Sequence, residues 1–234
     1  SQNEVRIRVS ENITKSAGTA ATLKLVAHEN VQVDNGVTIG SIGGPLNIEF
    51  KSGYSASDTI ASSTGGSVIL GTGATLNANG GTISLTGIAT GSTALEAVQA
   101  TQAVLTSGGG AITLTGTHGS VNRRGVYLDR TTINSGGGAI TLGSTTSNIR
   151  IEGSSLVSGS GGVTISAVGA HNYSALEIVD SAGPPSIPSL VSANSGGTIN
   201  LTGEQTGGGF SAGSYAGGVV IKNSTVSSFN GSVT

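Results

Sequence analysis

Several residue types that stabilise or equip common protein classes are missing from this chain of 234 residues. It has no Cys, Met or Trp, and aromatic residues make up 3 % of it. Without Cys there can be no disulfide scaffold, zinc ribbon or thiol enzyme. Lys and Arg number 10 against 12 acidic residues, which argues against nucleic acid and anionic membranes as partners. No apolar run approaches the ~18 residues of a membrane-spanning helix, so we expect no membrane insertion.

Gly, Ser and Thr dominate what is present, yet the apolar residues argue against disorder. Ile, Val, Leu and Phe make up about 24 % of the chain, above the ~20 % that marks disordered chains. They recur at every second position, as strands require. Long helix-forming residues are scarce and β-branched residues abundant, which disfavours helix. Residues 94–104 (ALEAVQATQAV) are compatible with a helix, although they also alternate as a strand would.

An internal repeat organises the sequence. Most copies have a Gly pair and then an opening strand in which Ile and Leu alternate, as in 110–114 and 138–142, whereas the early copy at 22–25 lacks the glycines. A middle strand such as Val31–Val33 and a last strand follow in each turn. With the opening strand as the first element, turns begin at residues 22, 45, 82, 111, 139, 163, 198 and 232. The last strands are predicted around Val37, Ile39, Leu76, Val104, Ile133, Leu156, Leu190 and Val226.

Three short strands in each turn of 23 to 37 residues predict an all-β parallel β-helix of about seven to eight turns. Stacked turns pair every strand with the one above and below, ~4.8 Å away, which gives a rod of about 35 Å. A β-sandwich is the alternative fold and needs hairpins, yet the Asn-Gly pairs Asn35-Gly36 and Asn230-Gly231 fall at repeat corners. Residues 5–16 match only a middle and a last strand. We therefore expect a single segment spanning 1–234 that begins and ends part-way through a turn, as a piece of a longer protein.

Extra residues in the long turns fall mostly between the opening and the middle strand. Stacking would align these inserts along one edge of the rod, which in repeat proteins is often the binding face. A further insert, 182–189, contains three prolines and follows a middle strand. The inserts of the first kind are 51–66, 115–125, 167–175 and 202–218.

The succession of Gly-Gly, x-Ile-Thr-Leu-Thr-Gly and Asn/Ser-Gly-Gly, clearest in residues 10–50, resembles the repeats of filamentous haemagglutinin-like exoproteins. These are large adhesins that Gram-negative bacteria export by two-partner secretion, and the resemblance covers nearly the whole chain. It implies a right-handed β-helix, an outer-membrane transporter as partner during secretion, and a location at the cell surface or in the medium. The family includes toxin carriers and biofilm matrix adhesins, and the sequence does not choose among them. The family's export-domain signature is not recognisable here, so an internal or distal rod segment is expected.

Polysaccharide lyases and hydrolases also use parallel β-helices, and they need clustered carboxyl groups. Alignment at the end of the middle strand makes Asp129 and Glu152 vertical neighbours, and two adjacent carboxylates would raise the pKa of one of them. The alternative is a solvated strand edge on which Arg130 and Arg150 balance the two acids. We favour that alternative and expect no catalytic residue. The other residues aligned at this position are Asp34, Gly71, Asp180 and Lys222.

The remaining sequence motifs do not indicate a hydrolase, a nucleotide-binding site or a metal site. The G-x-S-x-G match at 209–213 is expected about once by chance in so Gly- and Ser-rich a chain, and it lacks the strand-to-helix context of a nucleophile elbow. The three histidines have no metal-ligand spacing, and neither a Walker-type loop nor a calcium-binding nonapeptide is present. We therefore expect no cofactor and no metal.

Aromatic and basic side chains in the inserts are the candidate binding residues. Exposed aromatic rings along one edge suit stacking on sugars or insertion into a protein partner. The alternative is that each ring folds back over its own loop, and that the arginines balance acids rather than bind an anionic glycan. The candidates are Tyr54, His118, Arg123, Arg124, His171, Tyr173, Phe210 and Tyr215.

These observations predict a non-enzymatic, extracellular rod segment of a bacterial adhesin that contributes to attachment to host cells, other bacteria or matrix. Its receptor would be a glycan or a protein. The runner-up is a glycan-binding or glycan-cleaving β-helix such as a tail spike or a polysaccharide lyase. A spacer without any ligand is the third interpretation.

Overall fold

The computed structural model describes residues 6–55, 57, 59–60, 65–90, 95–119, 123–169, 174–206 and 218–234, and among them it contains strands and no helix. The strands form three sheets, which we name opening, middle and last after their order within a turn. Strand numbers follow the chain. The opening sheet contains β3 (Ala21–Ala27), β6 (Leu46–Ser52), β10 (Ile83–Ala89), β13 (Ile112–His118), β16 (Ile140–Ser144), β19 (Val163–Gly169) and β22 (Ile199–Gln205), with the short β7 (Gly65–Gly66) antiparallel to β10.

The other two sheets have eight parallel strands each. The middle sheet contains β1 (Ile7–Val9), β4 (Val31–Val33), β8 (Val68–Leu70), β11 (Val98–Thr101), β14 (Arg124–Asp129), β17 (Asn148–Glu152), β20 (Leu176–Val179) and β23 (Val219–Lys222). The last sheet contains β2 (Ile13–Lys15), β5 (Thr38–Ser41), β9 (Thr75–Asn77), β12 (Val104–Thr106), β15 (Thr132–Asn134), β18 (Ser155–Ser158), β21 (Leu190–Ala193) and β24 (Thr225–Ser228).

This arrangement is a parallel β-helix of about eight turns, as the repeat predicts. Consecutive opening strands pair in parallel, with Ile83 opposite Ile112 and Ile112 opposite Ile140. The described opening strands start within a residue of the predicted positions, and Val233 forms a bridge with Ile199 where the eighth turn should begin. A sandwich of hairpin-linked strands is therefore wrong for this chain. Residues 98–101 and 104–106 are strands, so the helix alternative for 94–104 is also wrong.

The core is a stack of apolar side chains inside the three sheets. Along the middle sheet Val98, Val126 and Ile149 lie in one register column and are fully buried. Each such side chain contributes roughly 1.5–3 kcal/mol through burial. The last strands lie around the predicted residues, and in two of them the inward side chain is the next residue along. Leu105 and Val191, not Val104 and Leu190, point inward, because a slip of one residue reverses the face that a strand presents.

Small residues mark the place where the opening sheet approaches the middle sheet most closely. A Cβ added to Gly116 would lie 1.8 Å from the carbonyl oxygen of Gly125, the residue before Val126. Gly87 aligns with Gly116 and stands in the same relation to the carbonyl oxygen of Ala97, at 1.9 Å. In these two turns no side chain fits at the final Gly of Leu-Thr-Gly, whereas Ser52 and Ala167 occupy the same column in other turns. We call this position the inner pinch.

Serine residues close the corner between the last and the opening sheets. The Ser107 hydroxyl donates to the carbonyl oxygen of Gly110, three residues on, at 2.5 Å, and to that of Ser135 in the next turn at 3.1 Å. Gly108 and Gly136 follow these serines with φ of 69° and 71°, a conformation that glycine adopts without strain. The repeated Ser-Gly-Gly therefore satisfies a buried carbonyl and makes the turn.

A ladder of hydroxyls runs along the rod at the corner between the middle and last sheets. The backbone N–H of Thr131 donates to Ser154 Oγ at 2.9 Å, that of Ser154 to Ser189 Oγ at 3.1 Å, and that of Ser189 to Ser224 Oγ at 3.3 Å. Thr131, Ser154 and Ser189 are buried. Each rung therefore supplies the acceptor that the rung before it needs.

The long connections lie where the inserts were predicted, between the opening and the middle strands. The proline-containing insert predicted at 182–189 is confirmed as part of the connection 180–189, which joins the middle strand β20 to the last strand β21. The insert predicted at 115–125 is shorter, because β13 continues through His118 and β14 begins at Arg124.

Candidate functional site

The outward face of the middle sheet carries one side chain per turn in a continuous column. Arg8 occupies the first turn, and the uncharged Gln32, Ile69 and Gln99 follow it. Tyr127, Arg150, Glu177 and Val220 continue the same column. Ionisable side chains therefore meet on three adjacent rungs, about 4.8 Å apart. We call Tyr127, Arg150, Glu152 and Glu177 the charged cluster.

Arg150 is the centre of the charged cluster. Its Nε lies 2.9 Å from Glu152 Oε2, on the same strand, and its Nη1 lies 2.8 Å from Glu177 Oε2, on the next rung. The two carboxylate side chains are 9 % and 11 % exposed, and the Arg150 side chain is 27 % exposed. One guanidinium thus binds two largely buried carboxylates in a charge-assisted fork.

Glu152 has two further partners. Its Oε2 accepts the Tyr127 hydroxyl proton at 3.1 Å, and its Oε1 accepts the backbone N–H of Ala182, in the 180–189 insert, at 3.0 Å. Burial acts to raise the pKa of Glu152, but the hydrogen bonds from Ala182, Arg150 and Tyr127 outweigh it and hold the pKa below its usual value. Such a carboxylate is ionised near neutral pH and is not a proton donor there. The raised pKa considered from the sequence is therefore wrong for Glu152.

Tyr127 is the neutral member of the charged cluster. Burial and the neighbouring charges of Glu152 and Asp129 raise the pKa of its hydroxyl to about 12. The Arg124 guanidinium lies over its ring, 4.7 Å from the centroid. Tyr127 therefore stays protonated and serves as a hydrogen-bond donor to Glu152.

The predicted neighbours Asp129 and Glu152 are confirmed in register, and so is Arg150 beside Tyr127. Arg130 binds Asp129 through two hydrogen bonds of 3.0 Å, and Arg150 binds Glu152, as the balancing interpretation requires. Asp180 does not belong to this column. Val179 stands opposite Glu152 and Lys222, so Asp180 lies one residue beyond the predicted position.

The sequence reasoning missed two partners in this region, Glu96 and Glu177. Arg124 Nη1 lies 3.1 Å from Glu96 Oε1, and the backbone N–H of Arg124 donates to the other oxygen of Glu96. Arg124 is therefore held by an acid and a ring, while Arg123 beside it is half-buried. Glu177 could have been found, because it is the central, outward residue of a strand that was correctly predicted.

Two candidate residues of the insert edge differ from expectation. His118 was expected at the surface, but it is 1 % exposed, at the end of β13, with Nε2 3.1 Å from the carbonyl oxygen of Leu95. The expectation of an exposed His118 is wrong, because the strand continues into the predicted insert and turns the ring under residue 95. Tyr54 is half-buried, with Lys51 Nζ 5.5 Å from its ring centroid. His171, Tyr173, Phe210 and Tyr215 lie outside the described residues.

In the part of the chain that the structure describes, no group of three or more His, Asp or Glu side chains is placed to hold a metal ion. Nor does that part contain a helix long and apolar enough to cross a bilayer. No protein-family model matches the chain, and searches of curated proteins and of solved structures found no match.

Proposed function

We propose that the chain is a rigid, non-enzymatic rod segment of an adhesin that is secreted by, or displayed on, a Gram-negative bacterium. The observation that carries the proposal is the unbroken parallel register across the middle and last sheets, from β1 to β23 and from β2 to β24. A solenoid of this kind lengthens by adding rungs, each stabilised by its neighbours. The resemblance of its repeats to filamentous haemagglutinin-like exoproteins supplies the biological setting.

The absence of Cys and the source of the rod's stability support an extracellular filament. The chain has no Cys that oxidation could damage, and its stability comes from backbone ladders, an aliphatic interior and buried hydroxyls. The connections between the opening and middle strands vary while the interior repeats. Attachment to a glycan or protein receptor is therefore assigned to this edge, which carries Tyr54 and Arg123 among the described residues.

The proposal is tested by attachment of the protein to surfaces. Because the chain has no native Cys, a single Ser232→Cys substitution allows coupling to beads in one orientation. Beads carrying the protein should adhere to epithelial monolayers, bacterial cells or immobilised matrix more than albumin-coated beads do. A variant in which 207–217 is replaced by a short Gly/Ser linker should adhere less, with an unchanged circular dichroism spectrum.

Two results would contradict this function. Adhesion equal to that of albumin-coated beads on every surface would leave only the spacer interpretation. Release of oligosaccharides from a polysaccharide panel would identify an enzyme instead, and the lowered pKa of Glu152 gives that alternative no support as a general acid.

A further inference from the structure

A groove of about 480 Å³ lies on the outward face of the middle sheet, over β17, β20 and β23. It is distinct from the insert edge, because its wall is the 180–189 insert at the next corner of the rung. Val179 and Val220 form an aliphatic floor between polar groups. The principal polar side chains that line it are Arg150, Glu177, Asp180 and Lys222.

Hydrogen bonds from neighbouring rungs fix the walls of this groove. Asp180 Oδ2 accepts the Ser186 hydroxyl at 2.6 Å and the Asn223 side-chain amide at 3.3 Å. Glu177 is held by Arg150 through Oε2. The Ala182 N–H that donates to Glu152 anchors the start of the insert to the sheet. The groove is thus formed before any ligand arrives, as binding sites commonly are.

The lining selects a class of ligand by its charge. Two cationic side chains face two anionic ones, so an anion would meet Glu177 and Asp180, and a cation would meet Arg150 and Lys222. An ion of either sign gains little from such a site. The described lining includes no aromatic side chain on which a flat ring could stack.

Neutral polyhydroxylated molecules satisfy all of these conditions. Their hydroxyls both donate and accept, so they can donate to the carboxylates of Glu177 and Asp180 and accept from the ammonium group of Lys222. The C–H face of a pyranose ring can cover the floor of Val179 and Val220. We propose that this groove binds neutral saccharides, with Glu177, Asp180 and Lys222 as hydrogen-bonding residues and the 180–189 insert as its side wall.

The proposal does not depend on the chain being an adhesin, because a saccharide site can be measured in solution. Neutral oligomers of glucose, galactose, mannose and N-acetylhexosamine are titrated into the protein, beside sulfated and uronic acid oligomers. Saturation-transfer NMR detects the contact and calorimetry gives Kd. We expect saturable binding of at least one neutral oligomer, and at least ~10-fold weaker binding of its charged counterparts.

Variants then locate the site. Asp180→Ala and Lys222→Ala should each weaken binding by about 10-fold or more, since each removes a charge-assisted hydrogen bond to a hydroxyl. Val220→Tyr should abolish binding by filling the groove. Asp34→Ala is the matched control, because Asp34 follows β4 as Asp180 follows β20, but without a proline-containing wall. Thermal melting checks that each variant is folded.

The inference is overturned if no neutral saccharide gives a saturable signal, if charged oligomers bind more tightly, or if Asp34→Ala weakens binding as much as Asp180→Ala does. Should Val220→Tyr unfold the rod, the Asp180 and Lys222 variants decide alone. Saccharide binding in solution without bead adhesion would support this groove and contradict the proposed function. Bead adhesion without saccharide binding in solution would support the proposed function and contradict this groove.

Discussion

Two ion pairs on the outward face of the middle sheet have nearly the same geometry and very different surroundings. Near the first rung, Arg8 Nη2 lies 2.8 Å from Asp34 Oδ2, and the Arg8 side chain is 66 % exposed. In the charged cluster, Arg150 makes contacts of 2.9 and 2.8 Å, but its side chain is 27 % exposed. Arg150 binds carboxylates of two rungs, whereas Arg8 binds one. Distance alone therefore does not tell which pair stabilises the fold.

Arg150→Met should have the largest effect. The substitution keeps an aliphatic stem but leaves Glu152 and Glu177 largely buried without their counter-charge, and breaking such a pair costs about 2–4 kcal/mol when it is mostly buried. Urea unfolding followed by circular dichroism measures the free energy of unfolding. A loss below ~1 kcal/mol would show that solvent already screens this cluster.

Glu152→Gln should come next, at about 1.5–3 kcal/mol, because one amide oxygen cannot accept from Ala182, Arg150 and Tyr127 together. Glu49→Gln is the control, since Glu49 pairs with Lys24 and Lys51 at a side-chain exposure of 27 %. Its cost should be roughly that of a surface pair, ~0–1 kcal/mol. Equal losses for the two variants would contradict the distinction drawn here.

Titration of Glu152 in the charged cluster should make the stability of the fold depend on pH. The folded-state pKa of Glu152 lies below the unfolded value, so its contribution is fully present above the unfolded pKa of ~4.3 and is lost as pH falls through the folded pKa. Melting temperatures of the wild type should therefore drop below about pH 5. Glu152→Gln should show a shallower drop over the same range, and parallel curves would assign the acid sensitivity to other carboxyls.

Tyr127→Phe should cost less, about 0.5–1.5 kcal/mol, for one hydrogen bond. The ultraviolet absorbance of phenolate also follows Tyr127 directly, because its pKa is raised to about 12. In the Glu152→Gln variant this ionisation should move to lower pH, since a neighbouring negative charge is gone. An unchanged titration would mean that Glu152 does not contribute and that burial and Asp129 set the pKa.

Arg8→Met should have the smallest effect, with no measurable change in the urea midpoint. Asp34 retains a hydrogen bond from Gln32 Nε2 at 3.0 Å, and the guanidinium that is lost was mostly in water. A loss comparable to that of Arg150→Met would remove the contrast between the two pairs.

The fold was predictable because the spacing of the glycine pairs and the apolar residues along the chain encodes it. The Gly-Gly pairs and alternating apolar residues identified the opening strands within a residue, and stacking then placed Asp129 beside Glu152. The inward faces of β12 and β21 were missed because consecutive apolar residues, Val104-Leu105 and Leu190-Val191, fit either face equally well.

The surroundings of the candidate side chains were less predictable. Arg124 with Glu96 and Arg150 with Glu177 pair residues 27 or 28 positions apart, and such pairs emerge only once the turn lengths are fixed. His118 is buried because β13 continues beyond the repeated Ile-Thr-Leu-Thr-Gly motif. The 180–189 insert becomes a wall of the groove through the Ala182 N–H, a backbone group that no side-chain pattern reveals.

The inner pinch has a consequence for how such rods diversify. At Gly87 and Gly116 the opening strand lies against the carbonyl of the residue at which the chain returns to the middle sheet, Ala97 or Gly125. In these two turns the ends of the insert therefore lie side by side at its base. Evolution, or a protein engineer, can exchange the insert between these two ends while the β-helix keeps its cross-section.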